Sequence, residues 1–347
     1  MSEHKKLLTV ENLKKHFPLK NKLLSRKKTF LRAVDGVSLE IYEGETFGLV
    51  GESGSGKSTL GRTLLRLYEP TDGKILFHDG ENATDLMGLK VGKMRPFRKD
   101  LQIIFQDPYS SLNPRMTVGQ LIAEGPLTHG YFKRGSKELW AYVKKIMRDC
   151  GLQEYMLRRY PHQFSGGQRQ RICIARALAV KPKFIVCDEC VSALDVSIQS
   201  QILNLLSELK EKEGLTYLFI SHDLSVVRYI SDRIAVMYLG KIVEWGRADD
   251  VFENPRHPYT MALVSAAPSV QETTQEKILL HGQLPSPSSP PRGCPFHTRC
   301  FYAHECCERV PAPVVEVKNG HFCACHFAQI PTQEKRARAR NNAKKGE

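Results

Sequence analysis

The sequence predicts an α/β fold with a mostly parallel sheet core, an antiparallel β subdomain, a helical subdomain and a small cysteine-rich C-terminal unit. Short apolar runs alternate with segments of helical spacing, which is typical of parallel strands covered by helices. A glycine-rich loop joins a buried strand, Thr46–Val50, to a helix. Six of the ten cysteines lie between Cys294 and Cys325, beyond the alternating part of the chain.

The predicted strands are apolar runs, or runs in which apolar and polar residues alternate. In one of them, Val37, Leu39 and Ile41 share a face. The predicted strands are Leu7–Asn12, Leu31–Ile41, Thr46–Val50, Lys74–His78, Leu101–Phe105, Phe184–Cys187, Leu215–Ile220, Arg233–Tyr238 and Lys241–Trp245.

The predicted helices have apolar residues at helical spacing. One follows the glycine-rich loop, and several lie in residues 107–162, where strand character is low. We therefore expect a helical subdomain at about residues 107–180. The remaining predicted helices are Val118–Glu124, Lys137–Cys150, Gln153–Tyr160, Gly166–Val180, Val196–Glu213, Asp249–Glu253 and Tyr259–Ala267.

Composition limits the function classes. The chain has 347 residues and a net charge of +14, and no apolar stretch approaches the roughly 18 residues of a membrane span. The N-terminus lacks the apolar core of a secretory signal, so we expect a cytosolic protein. Basic clusters at Lys20–Lys28 and Lys335–Lys345 fit nucleic acid, an anionic membrane surface or simply solvated loops. No stacked-aromatic or zinc-finger pattern accompanies them, which weakens the nucleic-acid interpretation.

Domain boundaries follow from changes in composition. Residues 1–268 are predicted to form the main domain. The proline- and serine-rich stretch Leu284–Arg292 reads as an extended linker. It lies within a C-terminal extension, residues 269–330, that carries the clustered cysteines. Residues 331–347 form a basic tail that we expect to be disordered.

The glycine-rich loop carries the Gly-x4-Gly-Lys-Ser pattern of a phosphate-binding loop. Its glycines let several backbone N–H groups point at phosphate oxygens, and the following helix adds its positive end. Lys57 is expected to reach the terminal phosphates, and Ser58 to offer its hydroxyl to Mg²⁺. The predicted nucleotide-binding residues of the loop are Gly51, Glu52, Ser53, Gly54, Ser55, Gly56, Lys57, Ser58 and Thr59.

A second acidic motif follows the buried run Phe184–Cys187. In a P-loop protein, an Asp at the end of such a strand holds Mg²⁺, so Asp188 is the candidate ligand. Glu189 is the candidate base that polarises the attacking water. Apolar runs that end in Asp-Glu are common, and the upstream phosphate loop makes this one specific.

The segment Phe164–Arg171 opens a helix with Ser165-Gly166-Gly167-Gln168 and resembles the signature motif of the ATP-binding cassette (ABC) ATPases. Such a helix start is a second anion-binding N-terminus in the chain. The resemblance implies that the signature of one cassette closes over ATP and Mg²⁺ held by another. The family pattern begins with Leu, where this chain has Phe164.

The resemblance extends to further motifs, in the family order. It implies that Gln106 contacts Mg²⁺ and water and couples to the transport partner. It also implies that Asp195, in Ser192-Ala-Leu-Asp195, communicates across the dimer, and that His222 contacts the terminal phosphate. Cys190 stands where the family usually has proline.

An aromatic ring is expected to stack on the adenine. The resemblance places Phe17 there, with Phe30 as the alternative because a lysine-rich insertion lies between them. Ordinary packing would explain either ring equally well.

Nearly the whole chain resembles the ATPase subunits of bacterial dipeptide and oligopeptide importers, the F-type subunit especially. The resemblance rests on Phe105–Val118, on Arg256–Leu263 and on the cysteine unit. It implies a homologous second cassette (a heterodimer, with a homodimer as the alternative), two transmembrane permeases, and an extracytoplasmic peptide-binding protein that acts indirectly. It also implies a place at the cytoplasmic face of the membrane and no nucleic-acid partner. Nickel or other small-solute importers share these stretches, and a soluble cassette acting on nucleic acid or ribosomes is the alternative from another class.

Clustered cysteines in a cytosolic chain favour metal over disulfides. Four thiolates suit an iron–sulfur cluster or tetrahedral zinc, and spacing alone does not choose between them. The resemblance implies a [4Fe–4S] cluster on Cys294, Cys300, Cys307 and Cys325, with Cys306 and Cys323 as spares. For the zinc alternative, His297, His321 and His326 are further candidate ligands.

Overall fold

The computed structural model describes residues 5–19, 29–267 and 277–343, without side chains from residue 339 onward. Its strands are β1 Lys6–Pro18, β2 Phe30–Tyr42, β3 Thr46–Val50, β4 Asp72–Asp79, β5 Asn82–Asp85, β6 Leu101–Ile104, β7 Phe184–Asp188, β8 Thr216–Ile220, β9 Arg233–Tyr238, β10 Lys241–Arg247, β11 Val314–Lys318 and β12 His321–Ala324.

Its α-helices are α1 Lys57–Leu64, α2 Val91–Met94, α3 Pro108–Ser111, α4 Val118–Thr128, α5 Lys137–Asp149, α6 Gly166–Leu178, α7 Val196–Glu213, α8 Leu224–Ile230, α9 Ala248–Glu253, α10 Pro258–Ala266, α11 Glu305–Arg309 and α12 Thr332–Ala343. In the described part of the chain, none of these helices is both long and apolar enough to cross a membrane.

The chain divides into two compact units. Unit one comprises the described residues of Met1–Leu7, Ile41–Thr46 and Gly88–Ile220. Its three parallel strands lie in the order β8-β7-β6. Strands β7 and β8 are buried along their whole length, because both faces of a parallel sheet are covered by other elements. Helices α4, α5 and α6 form the helical part that the sequence predicts in this region.

Unit two comprises Leu8–Glu40, Phe47–Met87 and the described residues of Ser221–Glu347. One of its sheets has the order β2-β1-β4-β5, with β4 antiparallel to both of its neighbours. This sheet corresponds to the predicted antiparallel subdomain. The other strands of the unit lie in the order β11-β12-β10-β9-β3, in which β3 and β9 are parallel and the remaining pairs are antiparallel. The strands thus form both parallel and antiparallel pairs, where the sequence predicts a mostly parallel sheet core.

The predicted elements agree with the structure most closely where the apolar pattern is strong, as in β3, β9 and α7. Weaker patterns gave errors. The predicted helix Gln153–Tyr160 is a short 3-10 turn at Glu154–Arg158. The sequence also predicts a disordered tail from residue 331, whereas the structure has α12 there, with the side chain of Lys335 fully buried. The basic cluster at Lys20–Lys28 and the last residues of the tail, 344–347, lie outside the described residues.

Candidate nucleotide site

The phosphate loop leaves the fully buried strand β3 and enters α1 at Lys57, as the sequence predicts. Two of its glycines are required by close backbone packing. A Cβ on Gly56, whose φ is 109°, would lie 2.0 Å from the carbonyl oxygen of Ala33, and a Cβ on Gly51 would lie 2.2 Å from that of Met237. No larger residue fits at either position. The loop therefore lies tightly against the β2 and β9 backbone within unit two.

The side chain of Lys57 is buried, at 4% exposure, and closes the loop on itself. Its Nζ donates to the carbonyl oxygens of Gly51, at 2.7 Å, and Glu52, at 3.0 Å. The ammonium is therefore held at the loop, where its positive charge suits phosphate oxygens. The neighbouring Ser55 is also buried, at 1% exposure. The binding of phosphate by this loop stays a prediction.

Strand β7 in unit one ends at Asp188, which is buried, and Glu189 follows directly after it. Glu189 adopts a positive φ of 50°, which is uncommon for a residue with a side chain. Its backbone N–H donates to the carbonyl oxygen of Ile220, and its Oε2 accepts a 2.8 Å hydrogen bond from Nε2 of Gln106. The structure therefore brings together Gln106 and Glu189, two residues that the sequence predicts independently. The adjacent Cys190 is buried and lies beside Cys187, whose thiol pKa is raised, first by a hydrogen bond with Cys190 and then by burial.

The signature segment begins α6 with a capping box. The Ser165 hydroxyl accepts from the N–H of Gln168, and Oε1 of Gln168 accepts from the N–H of Ser165. Ser165 and Gly166 are exposed, while Gly167 is buried. A Cβ on Gly167 would lie 2.4 Å from Cγ2 of Ile198 on α7. Gly167 is thus a packing requirement, and the exposed helix start is open to a ligand.

Asp195 and His222 lie in different units. Asp195 caps α7 in unit one by accepting from the N–H of Ile198. The Ser197 hydroxyl also donates to it, and this bond is the first cause of the lowered pKa of Asp195. His222 follows β8, is exposed, and belongs to unit two with the phosphate loop.

The candidate adenine-stacking rings differ in their surroundings. Phe17 is half-buried at the end of β1, with its ring edge-on to Tyr68 at 5.5 Å and the ammonium of Lys15 4.7 Å above its centroid. Phe30 is 40% exposed at the start of β2. The contacts of Phe17 are those of ordinary packing, so its adenine role stays a prediction.

The cysteine-rich unit does not assemble a site for a single metal ion. Within the described ranges, no group of three or more His, Cys, Asp and Glu side chains is placed to hold one. This finding corrects the zinc alternative, and each of its candidate histidines has one ring nitrogen in a hydrogen bond to another group. His297 bonds to the carbonyl oxygen of Cys294, His326 to that of Val310, and His321 to the buried carboxylate of Glu244.

The four cysteines predicted as cluster ligands nevertheless interact with one another. Burial is the main cause that raises the pKa of Cys294 to about 11 and of Cys300 to about 12, and Cys307 and Cys325 raise both further. Backbone N–H groups donate to two of the sulfurs, at 3.4 Å each, on Cys300 and Cys325. The four thiols thus lie within electrostatic range of one another.

Sequence reasoning missed the main contact of the extension with the phosphate loop. Arg299 forms a bidentate ion pair with Glu52, with N–O distances of 2.7 and 3.1 Å. The hydroxyl of Tyr259 on α10 accepts a 2.7 Å hydrogen bond from the N–H of Glu52. Glu52 is the one acid of the loop, and an acid in an anion cradle signals the need for a basic partner. Its position, however, does not say which of the many basic residues that partner is.

Two family models match the chain. The model described as ABC transporter covers residues 34–192, and the model for the C-terminal region of oligopeptide/dipeptide transporters covers residues 243–307. The chain therefore belongs to the ABC transporter family and is an ATPase of that family.

Within the family, similar proteins are oligopeptide transport ATP-binding proteins. AppF of Bacillus subtilis is 50% identical over 324 residues, which span 92% of this chain and 97% of that protein. OppF of Escherichia coli is 50% identical over 327 residues, spanning 92% and 96%. Among solved structures, a dimeric ATP-binding cassette in a post-hydrolysis state with ADP and Pi is 28% identical, with a TM-score of 0.59 over 70% of this chain and 99% of that one. The cassette cbiO1 of Clostridium perfringens, part of an ABC transporter complex, is 27% identical with a TM-score of 0.60 over 72% and 91%.

Proposed function

We propose that this protein is the ATP-binding and ATP-hydrolysing subunit that energises a bacterial importer of dipeptides and oligopeptides. The proposal rests on sequence similarity to proteins named for oligopeptide transport. Their sequences are 50% identical to this one over 92% of this chain. The match of the C-terminal region to a peptide-transporter model supports the same substrate class.

The residues of the phosphate loop are proposed to bind ATP. The Lys57 ammonium offsets phosphate charge, and the loop N–H groups and the positive end of α1 add to this effect. Ser58, Asp188 and Gln106 would hold Mg²⁺, which supplies charge neutralisation at the terminal phosphates. The oxygen donors of these side chains are those that Mg²⁺ prefers.

Hydrolysis is proposed to depend on the carboxylate of Glu189, which would orient and polarise water. Its hydrogen bond from Gln106 supports this role, because it fixes one carboxylate oxygen. His222 is proposed to contact the terminal phosphate. Charge that develops in the transition state would be stabilised by donors already in place.

The exposed start of α6, with Ser165, Gly166, Gly167 and Gln168, is proposed to close over nucleotide bound by a second, homologous cassette, and Asp195 to act at the same junction. A heterodimer is favoured by the resemblance, and a homodimer is the alternative. Closure would drive two transmembrane permeases from the cytoplasmic face of the membrane, and a peptide-binding protein would act from the other side. Phe17 is proposed to stack on adenine, and residues 1–268 are proposed to form the ATPase domain.

We also propose that Cys294, Cys300, Cys307 and Cys325 bind a [4Fe–4S] cluster. In such a cluster each thiolate binds a different iron, so the four sulfurs need not converge on one point as they would around a single ion. Their electrostatic interaction and the N–H···S bonds at Cys300 and Cys325 support this proposal.

Purification under anaerobic conditions tests the cluster. The chain should contain about four irons and four sulfides, and the Cys300→Ser variant should lose them. The exposed Cys306 provides the matched control, since Cys306→Ser should keep the full iron content. Zinc without iron would reverse the assignment.

Isolation of the protein from detergent-solubilised membranes tests the transport function. We expect two permease chains and a homologous cassette to co-purify, with ATP hydrolysis stimulated by a peptide-loaded binding protein. Co-purification of a binding protein for nickel or another small solute would change the substrate. Ribosomes or DNA in place of permeases would contradict the transport function.

A further inference from the structure

We propose that Arg299 of the C-terminal extension is a positioning residue for the nucleotide site, because it neutralises and fixes Glu52 of the phosphate loop. The inference rests on the proposed binding of nucleotide at this loop. Under this inference, the C-terminal extension affects how tightly the phosphate loop binds ATP.

The ion pair is well formed and largely removed from solvent. Both oxygens of Glu52 accept from Arg299, at 2.7 and 3.1 Å. The side chain of Arg299 is 8% exposed and that of Glu52 is 28% exposed. A bidentate pair of this kind fixes geometry as well as charge. Loss of Arg299 would therefore leave a partly buried carboxylate without its counter-charge.

The extension holds Arg299 rigidly in this position. Arg299 ends the 3-10 turn His297–Arg299, and its N–H donates to the carbonyl oxygen of Phe296. Phe296 is fully buried and packs its ring against Tyr238, at 5.2 Å, and Tyr259, at 5.4 Å. The guanidinium itself lies 6.0 Å from the ring centroid of Tyr238. The cationic group is thus preorganised, and little side-chain entropy is lost when it pairs.

Glu52 in turn contributes its backbone to the cradle. Its carbonyl oxygen accepts from the Lys57 ammonium, and its N–H donates to the hydroxyl of Tyr259. A displacement of Glu52 would therefore disturb the group proposed to reach the terminal phosphates. The position of the Glu52 side chain and the position of Lys57 are coupled through one residue.

The charge of Glu52 explains why a basic partner is needed. A carboxylate in a loop that binds phosphate repels the ligand, and the repulsion is strongest where solvent is excluded. Arg299 cancels this charge locally. The geometry therefore predicts opposite effects for the two partners. Removal of the cation weakens nucleotide binding, and removal of the acid alone does not.

The test is the dissociation constant of ATP, measured by calorimetry on the full-length chain with Mg²⁺. Arg299→Met keeps an apolar stem and removes the charge, and we expect it to raise the constant about tenfold, as for loss of a charge-assisted pair. Glu52→Gln keeps the backbone contacts of Glu52 and one side-chain oxygen that can accept from Arg299, and it removes the repelling charge. We therefore expect it to bind ATP at least as tightly as the wild type. The double variant should return to within about threefold of the wild type, because neither charge then remains.

The matched control is Arg309→Ala. Arg309 belongs to the same extension and pairs with Glu305 on α11, and both side chains are exposed. We expect its affinity for ATP to equal that of the wild type. The loss of ATP affinity in Arg299→Met should also become smaller as salt rises from about 0.05 to about 1 M, since screening weakens the repulsion between Glu52 and the phosphates.

Several outcomes would overturn the inference. They are an unchanged dissociation constant in Arg299→Met, or a double variant as weak as Arg299→Met alone. If Arg299→Met does not fold, Glu52→Gln still decides, because weaker binding in that variant contradicts charge neutralisation. Lys57→Ala separates this inference from the proposed site: equal ATP binding by Lys57→Ala and the wild type would refute the site itself.

Discussion

Glu189, the proposed base for hydrolysis, has an unfavourable backbone conformation. Its φ of 50° places it in the left-handed region, where a residue with a Cβ is held at some cost in free energy. Three hydrogen bonds hold the turn in place. The N–H of Glu189 donates to the carbonyl oxygen of Ile220, and the carbonyl oxygen of Glu189 accepts from both the hydroxyl and the N–H of Ser192. In this geometry the carboxylate accepts a hydrogen bond from Gln106.

Glu189→Gln should bind ATP as the wild type does and lose nearly all turnover, on the order of a hundredfold or more. The amide keeps the shape of the side chain but does not polarise water as a carboxylate does. Single-turnover hydrolysis and ATP binding, measured on the same preparation, check the two halves of this prediction. Glu211→Gln, an exposed change on α7, is the control and should hydrolyse normally. Normal turnover by Glu189→Gln would remove Glu189 from its assigned role.

His257 gives unit two a pH dependence. It is fully buried, its Nδ1 accepts from the N–H of Tyr259 at the start of α10, and burial lowers its pKa to about 3. The unfolded chain binds a proton below its ordinary pKa of about 6.5, while the folded chain does not. Stability from this group is therefore complete above pH 6.5 and falls toward pH 3.

Below pH 6.5 the free energy of unfolding should fall by about 1.4 kcal/mol for each unit that the pH drops. His257→Asn keeps a side-chain acceptor for the helix start and removes the titration. Urea unfolding of the wild type and of His257→Asn, between about pH 7.5 and pH 5, should show a steeper fall in the free energy of unfolding for the wild type. Parallel curves would show that His257 does not titrate on unfolding.

The Arg299–Glu52 pair shows why some site residues were not found from the sequence. The partners are 247 residues apart, and no local pattern connects them. Motif residues such as Lys57 and Glu189 can be predicted as candidates because their chemistry is set by neighbours in the sequence. Long-range pairs depend on the packing of the extension, which composition does not encode.

Among the elements, the signature helix α6 begins with two adjacent glycines, and only one of them is tightly packed. A Cβ on Gly167 would meet Ile198 at 2.4 Å, whereas one on Gly166 would lie 3.5 Å from Leu194, an ordinary contact. Gly167→Ala should therefore lower the free energy of unfolding by about 1–3 kcal/mol through overpacking. Gly166→Ala should unfold as the wild type does.

Denaturant unfolding of both glycine variants checks this difference. Adding Ile198→Ala to Gly167→Ala removes the clashing methyl group, so the double variant should lose less than the sum of the two single losses. Equal stability of Gly166→Ala and Gly167→Ala would show that α6 and α7 are not packed as tightly as described.

Elements of the extension were less predictable than those of the main domain. The hairpin β11–β12 has a usable signal, since Val314, Val315 and Val317 precede an Asn-Gly turn at residues 319–320. Helix α12 has none, because its residues are polar around the whole helix. The described part is held through Lys335, whose Nζ donates to the carbonyl oxygen of Arg256. The Thr332 hydroxyl also donates to the carbonyl oxygen of Pro255, and Arg338 bonds to the ring of His304. Several contacts thus hold a tail that looks disordered by composition.

At the scale of the whole molecule, the exposed signature of unit one is the surface proposed to meet a second cassette. The Ser165 side chain is exposed although its hydroxyl caps α6, so the N-terminus of that helix is available to a ligand from outside the chain. The family includes a dimeric cassette solved with ADP and Pi. We therefore expect ATP to promote association of two cassettes, most visibly when hydrolysis is blocked.

The Glu189→Gln chain, mixed with ATP and Mg²⁺ alone or with its homologous partner, should elute from a sizing column as a dimer and return to monomers when ATP is removed. Adding Ser165→Arg should abolish the dimer, since the arginine side chain would fill the helix start that receives the partner's nucleotide. Ser136→Arg is the matched control: Ser136 caps α5 by accepting from the N–H of Leu139, so the same cap is lost at a site with no proposed partner. Persistence of the ATP-dependent dimer in Ser165→Arg, with Ser136→Arg also dimeric, would show that the signature does not form the junction between cassettes.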